Sequence, residues 1–75
     1  MIIFDIEADN LLDDVTKVHC IVTQDTETGV VCKYDPTQLD VALEVLQEAE
    51  SLGGHNVMAY DLPVLKKLYN FDYYG

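Results

Sequence analysis

The first eight residues, Met1–Ala8, read MIIFDIEA. Met1, Ile2, Ile3, Phe4 and Ile6 predict a strand buried in a core, and the two-residue period of a strand puts Asp5 and Glu7 on one side of it. Two like charges placed there repel each other and lose hydration, and a cation is the simplest compensation. The opening strand therefore sets where the core begins and raises the question of what supplies the counter-charge.

Downstream, Asp9–Thr16 (DNLLDDVT) reads as an acidic loop, and Lys17–Asp25 (KVHCIVTQD) resumes a β-branched strand pattern. Thr26–Gly29 (TETG) is turn-forming, and Val30–Tyr34 (VVCKY) is the returning strand, so the first half predicts three consecutive antiparallel strands. Asp35-Pro36-Thr37-Gln38 carries a helix start, with Asp35 as cap, Pro36 in the first helical position and Gln38 closing a capping box. Leu39, Ala42, Leu43, Leu46, Ala49 and Leu52 then recur at helical spacing until Gly53 and Gly54 end the run. Gly54–Met58 (GHNVM) predicts a brief strand or extended loop, and a second helix starts at Asp61, read as its N-cap, with Leu65, Leu68 and Tyr69 on its apolar face. The aromatic tail, Asn70–Gly75, has no evident partner in the chain. Together these elements predict an α/β layer in which a short fourth strand lies parallel beside the first.

The 75 residues suffice for one small domain, and 49% apolar content makes a core feasible. Fourteen acidic residues against four lysines give a net charge of −10, which excludes a domain that grips phosphate backbones unaided; positive charge must come from metal ions or a partner. No signal peptide or bilayer-spanning run is visible, so a cytosolic location without membrane contact is expected. Cys20 and Cys32 lack zinc-type spacing and are expected to be core-like thiols.

In the parallel arrangement, the loop that leaves the fourth strand approaches the carboxyl end of the first, bringing Asp61 toward Asp5 and Glu7. Three carboxylates without an adjacent Ser or Cys nucleophile suit hard divalent ions such as Mg²⁺ or Mn²⁺. A pair of such ions about 3.5–4 Å apart supports phosphodiester hydrolysis. They would also offset the acidic balance of the chain. On plainer readings, Asp61 only caps a helix, His19 packs within its strand, and Leu11 and Leu12 exchange core and surface roles. The tail residues Tyr69, Phe71, Tyr73 and Tyr74 then form an uncovered apolar patch.

MIIFDIEA, the stretch LLDDVTKVHCIVTQDTETG (Leu11–Gly29) and GGHNVMAYDLPVLKKLY (Gly53–Tyr69) resemble the start of the 3′-to-5′ proofreading exonuclease domain of family A DNA polymerases, above all those of short-tailed bacteriophages. The resemblance implies a partial ribonuclease-H-like fold and a two-metal Mg²⁺ or Mn²⁺ site. It makes Asp5 the carboxylate bridging both metals, Glu7 a ligand that also orients the terminal nucleotide, and Asp61 the second-motif ligand. It places Leu11 as a wedge against the 3′-terminal bases, Asn56 and Tyr60 beside the terminal nucleotide, and His55 within the motif. The family's third motif, a Tyr followed four residues later by an Asp, is not among these residues, because Asp72, Tyr73 and Tyr74 lack that order. The expectation is about half of an exonuclease domain, acting on the 3′ end of single-stranded DNA when complete and weak or inactive alone. The alternatives are a non-catalytic interaction subunit of a split polymerase, which docks onto the remaining polypeptide or a second copy, and a small acidic phage protein that binds another protein.

Overall fold

The computed structural model describes residues 1–73. Four strands form one sheet in the order β3-β2-β1-β4, with β1 Ile2–Ala8, β2 Val18–Asp25, β3 Val31–Tyr34 and β4 Leu52–Gly53. The first three strands are antiparallel, and β4 runs parallel to β1 through the pairs Ile2↔Leu52 and Ile3↔Gly53. Helices α1, Leu39–Glu48, and α2, Leu62–Tyr69, complete the α/β fold. The antiparallel meander and the parallel fourth strand are thus as the sequence pattern predicts. No helix among the described residues is long and apolar enough to cross a membrane.

Cross-strand pairing explains which face is buried. Phe4 stands opposite Thr23 and Ile6 opposite Ile21, so all four share one face of the sheet. That face packs with Leu39, Ala42 and Leu46 of α1 and Val64 and Leu65 of α2 into a single core. On the other face, Ile3, Asp5 and Glu7 lie opposite Gln24, Val22 and Cys20, and Ile3 is 40% exposed. Ile3 therefore does not join the core that its place in an apolar run suggests. Cys20 and Cys32 are half-buried free thiols, and His19 is exposed instead of packed.

Helix boundaries shift for local reasons. Asp35 accepts from the Thr37 backbone N–H at 2.8 Å while the Gln38 side chain accepts from the Asp35 N–H at 3.2 Å, which is the expected capping box. A 3₁₀ turn at Pro36–Gln38 precedes α1. The helix ends at Glu48, not at Gly53, because Ala49 turns extended (φ −67°, ψ 141°). The chain then reaches β1, where the Ile2 N–H donates to the Ser51 carbonyl at 3.0 Å. Leu52 consequently belongs to β4, and Gly54–Met58 is not the fourth strand.

The tail also finds partners. Phe71 packs against the core and the Tyr73 hydroxyl donates to the Ala49 carbonyl at 2.6 Å, leaving Tyr69 exposed. Tyr74 lies outside the described residues.

Gly54 makes the crossover possible. Its φ is 155°, and a Cβ there would stand 2.5 Å from the Phe4 carbonyl oxygen. At Gly29, in the β2–β3 turn, φ is 78° but the space around a Cβ is open. Urea unfolding is expected to show Gly54→Ala losing about 2 kcal/mol or more, and Gly29→Ala only about 1 kcal/mol.

Candidate functional site

Strand β1 places Asp5 and Glu7 on the open face of the sheet, and both are exposed. The burial expected to strain this pair is therefore absent, since only the opposite side of the strand is covered. The desolvated carboxylate is Asp61, which is 2% exposed.

Asp61 reaches that position through an unusual turn. Val57–Asp61 forms one π-helical turn, with the Tyr60 and Asp61 N–H groups both donating to the Asn56 carbonyl at 2.9 and 3.1 Å. The extra residue of a π turn rotates the succeeding side chains relative to a regular helix, and such turns recur at functional positions. Asp61 occupies the N-cap position of α2, as expected, but with right-handed helical backbone and no side-chain capping bond, so its carboxylate is not spent on the helix end. Its Oδ2 is buried without a hydrogen-bond partner. Burial, and then the Asp5 charge, push the Asp61 carboxyl up to about 6, with His55 pulling the other way.

Around this carboxylate, the structure gathers most of the other predicted residues. Tyr60 is half-buried, and its hydroxyl donates to the Asn10 carbonyl at 2.6 Å. Its pKa is raised by burial first, then by the charges of Asp61, Asp9 and Glu7, so these acids lie within electrostatic reach of one ring. His55 and Asn56 are exposed on the approach to the π turn, where Asn56 contributes its backbone carbonyl. Leu11 is 76% exposed, while Leu12 packs against the core, which resolves the ambiguity between the two leucines.

Of the two strand acids, Asp5 is the one whose charge acts on Asp61. Among the described residues no three His, Cys, Asp or Glu side chains are grouped to hold one metal ion. A Mg²⁺-type ion nevertheless needs only one or two protein carboxylates, because it keeps several waters. The buried Asp61 Oδ2, without a hydrogen-bond partner and within electrostatic reach of Asp5, fits that requirement.

No family model matches the chain. Over 72 residues it is 42% identical to the DNA-directed DNA polymerase of Escherichia phage T7 and 42% identical to that of Enterobacteria phage T3. The chain is related to phage DNA polymerases. The similarity covers 91% of the chain, which spans about 10% of the length of either relative.

Sequence reasoning missed two residues that shape the surroundings of the site. Asp9 accepts from the Thr16 and Lys17 N–H groups at 3.0 and 3.2 Å and from the Thr16 hydroxyl. The Thr16 hydroxyl is the main reason its carboxyl falls to about 2, with the Thr16 N–H next. Lys67 donates to the Leu12 and Asp13 carbonyls at 2.8 and 2.9 Å. Neither pattern has a local signature, because one closes a loop and the other spans more than fifty residues of chain.

The Asp61 pKa carries a signed consequence for stability. Below its ordinary value of 3.8 the carboxyl is protonated in both folded and unfolded chains. As pH rises toward about 6 the unfolded state loses its proton first, so stability falls across that window and stays lower above it. Asp61→Asn is expected to remove this loss and to gain on the order of 2 kcal/mol relative to wild type at neutral pH. Urea unfolding of both proteins across the window measures the difference.

Proposed function

We propose that this chain is the N-terminal portion of a proofreading 3′-to-5′ exonuclease module, whose complete form hydrolyses the 3′-terminal phosphodiester of DNA with a divalent metal. The observation that carries the reading is the buried carboxylate of Asp61, unpartnered at Oδ2 and electrostatically coupled to Asp5 from a different element. A carboxylate held dry and incompletely bonded costs stability unless a ligand uses it. The similarity to phage DNA polymerases and the order of the segments MIIFDIEA and HNVMAYD support the same reading.

In this reading Asp5 and Asp61 hold Mg²⁺ or Mn²⁺, and exposed Glu7 is available to a second ion or to the terminal nucleotide. Such ions supply Lewis-acid stabilisation of the phosphate and a nucleophilic water near neutral pH. His55 and Asn56 border the carboxylates where a nucleotide end would lie, the Tyr60 hydroxyl is taken up by the Asn10 carbonyl, and Leu11 offers an apolar contact to the terminal base. With a net charge of −10, the chain depends on the ions, and on positive charge from other polypeptide, to attract DNA. These 75 residues contain no Tyr and Asp in the spacing of the third motif, so the isolated chain is expected to cleave weakly or not at all.

Thermal unfolding at neutral pH tests the metal assignment. Saturating Mn²⁺ is expected to raise Tm of the wild type by about 4 °C, and Asp5→Asn and Asp61→Asn to abolish the rise. An equal rise in both variants would place the ion elsewhere and remove the basis of the reading. On 5′-labelled single-stranded DNA with Mn²⁺, little shortening is expected; vigorous stepwise shortening lost in Asp5→Ala would overturn the statement that these residues are insufficient.

A further inference from the structure

Leu11 presents a physical oddity. The loop Asp9–Thr16 carries three large apolar residues, of which Val15 is 2% exposed and Leu12 packs against the core, whereas Leu11 is 76% exposed. Looseness of the loop does not account for this. Asp9 ties its two ends through Thr16 and Lys17, and the Asp14 N–H donates to the Leu11 carbonyl at 3.0 Å.

Two further ties come from the polypeptide around Asp61. The Tyr60 hydroxyl holds the Asn10 carbonyl, and the Lys67 ammonium holds those of Leu12 and Asp13. The gripped carbonyls bracket Leu11 on both sides. Lys67 is one of four lysines in a chain with fourteen acids, yet among the described residues its hydrogen bonds go to neutral carbonyls and none goes to a carboxylate. Its neighbour along α2, Lys66, instead bonds Asp72 and Asn70.

We infer that Lys67 and the Tyr60 hydroxyl are positioning residues, which clamp the loop to the Asp61 segment and fix exposed Leu11 as an apolar contact for the terminal base of a single-stranded DNA end. The inference rests on the function proposed above and adds how the site keeps its base contact in place. Both residues act through Leu11 and touch no nucleotide in this role. Their effect therefore vanishes when Leu11 is already truncated, which a merely structural contribution would not do.

The test uses the 75-residue chain with Mn²⁺ and a short single strand carrying 2-aminopurine at its 3′ end, with a phosphorothioate terminal linkage to block hydrolysis. Binding is expected to change the fluorescence of the terminal base, and Leu11→Ala to suppress the change. Lys67→Met and Tyr60→Phe are each expected to weaken end binding about fivefold, with no further loss when either is combined with Leu11→Ala, and Lys67→Arg to recover part of the affinity. Wild-type affinity in both clamp variants, or losses that add to that of Leu11→Ala, would overturn the inference while leaving the function standing. If the wild type binds neither Mn²⁺ nor the strand, the function falls and this inference falls with it. Should circular dichroism show Lys67→Met unfolded, Tyr60→Phe decides alone, since it removes a single hydroxyl.

Discussion

Two residues of parallel pairing organise this protein. Ile2↔Leu52 and Ile3↔Gly53 bring the chain back beside its own first strand after three strands and a helix. Parallel strands need a long crossover, and α1 supplies the connection while also covering the sheet. Gly54, with no room for a Cβ against the Phe4 carbonyl, lets the backbone leave β4 close enough to β1 for the next segment to meet it. A π turn then carries Asp61 into the interior, within reach of the Asp5 charge. Displacing the β4 exit would move every candidate site residue after Gly54.

The electrostatic cost of the site is concentrated on one group. Asp5 and Glu7 share a strand face open to water, so solvent screens them. Asp61 is enclosed, and its carboxyl rises to about 6 through burial and then through Asp5. A group in that condition titrates above the ordinary carboxylate range and responds to a nearby counter-charge. Asp9 stands at the opposite extreme, held near 2 by hydrogen bonds from Thr16 and Lys17 that favour its charged form. One carboxylate organises a loop through its charge, while the other lies buried with its Oδ2 unpartnered.

Scarcity of cations shapes how the acidic surface is arranged. Lys66 forms an ion pair with Asp72 at 2.7 Å, and Lys67 is committed to loop carbonyls. The ion pair is exposed on both sides and adds little to stability. The Lys67 bonds matter more for geometry, because they tie a loop that comes after β1 to the helix that comes after the π turn. Leu11 remains outside while its neighbours Leu12 and Val15 pack inward, an arrangement that needs the loop to be held from elsewhere.

Local elements and the identity of the candidate carboxylates were written in the residue order alone. The capping box at Asp35 and Gln38 and the turn at Gly29 use short-range hydrogen bonds and φ preferences, so they were legible residue by residue. The motif segments offered Asp5, Glu7 and Asp61 as the candidate acids. Which of these acids is desolvated was settled only on folding, because burial depends on which sheet face the helices cover. Folding also ended α1 at Glu48, since Ser51 and Leu52 bond to β1, and it left Asp61 at the N-cap position of α2 with its side chain buried, Oδ2 unpartnered, instead of capping the helix. The clamp by Tyr60 and Lys67 joins residues about fifty positions or more apart, a separation over which local propensity and periodicity carry no information.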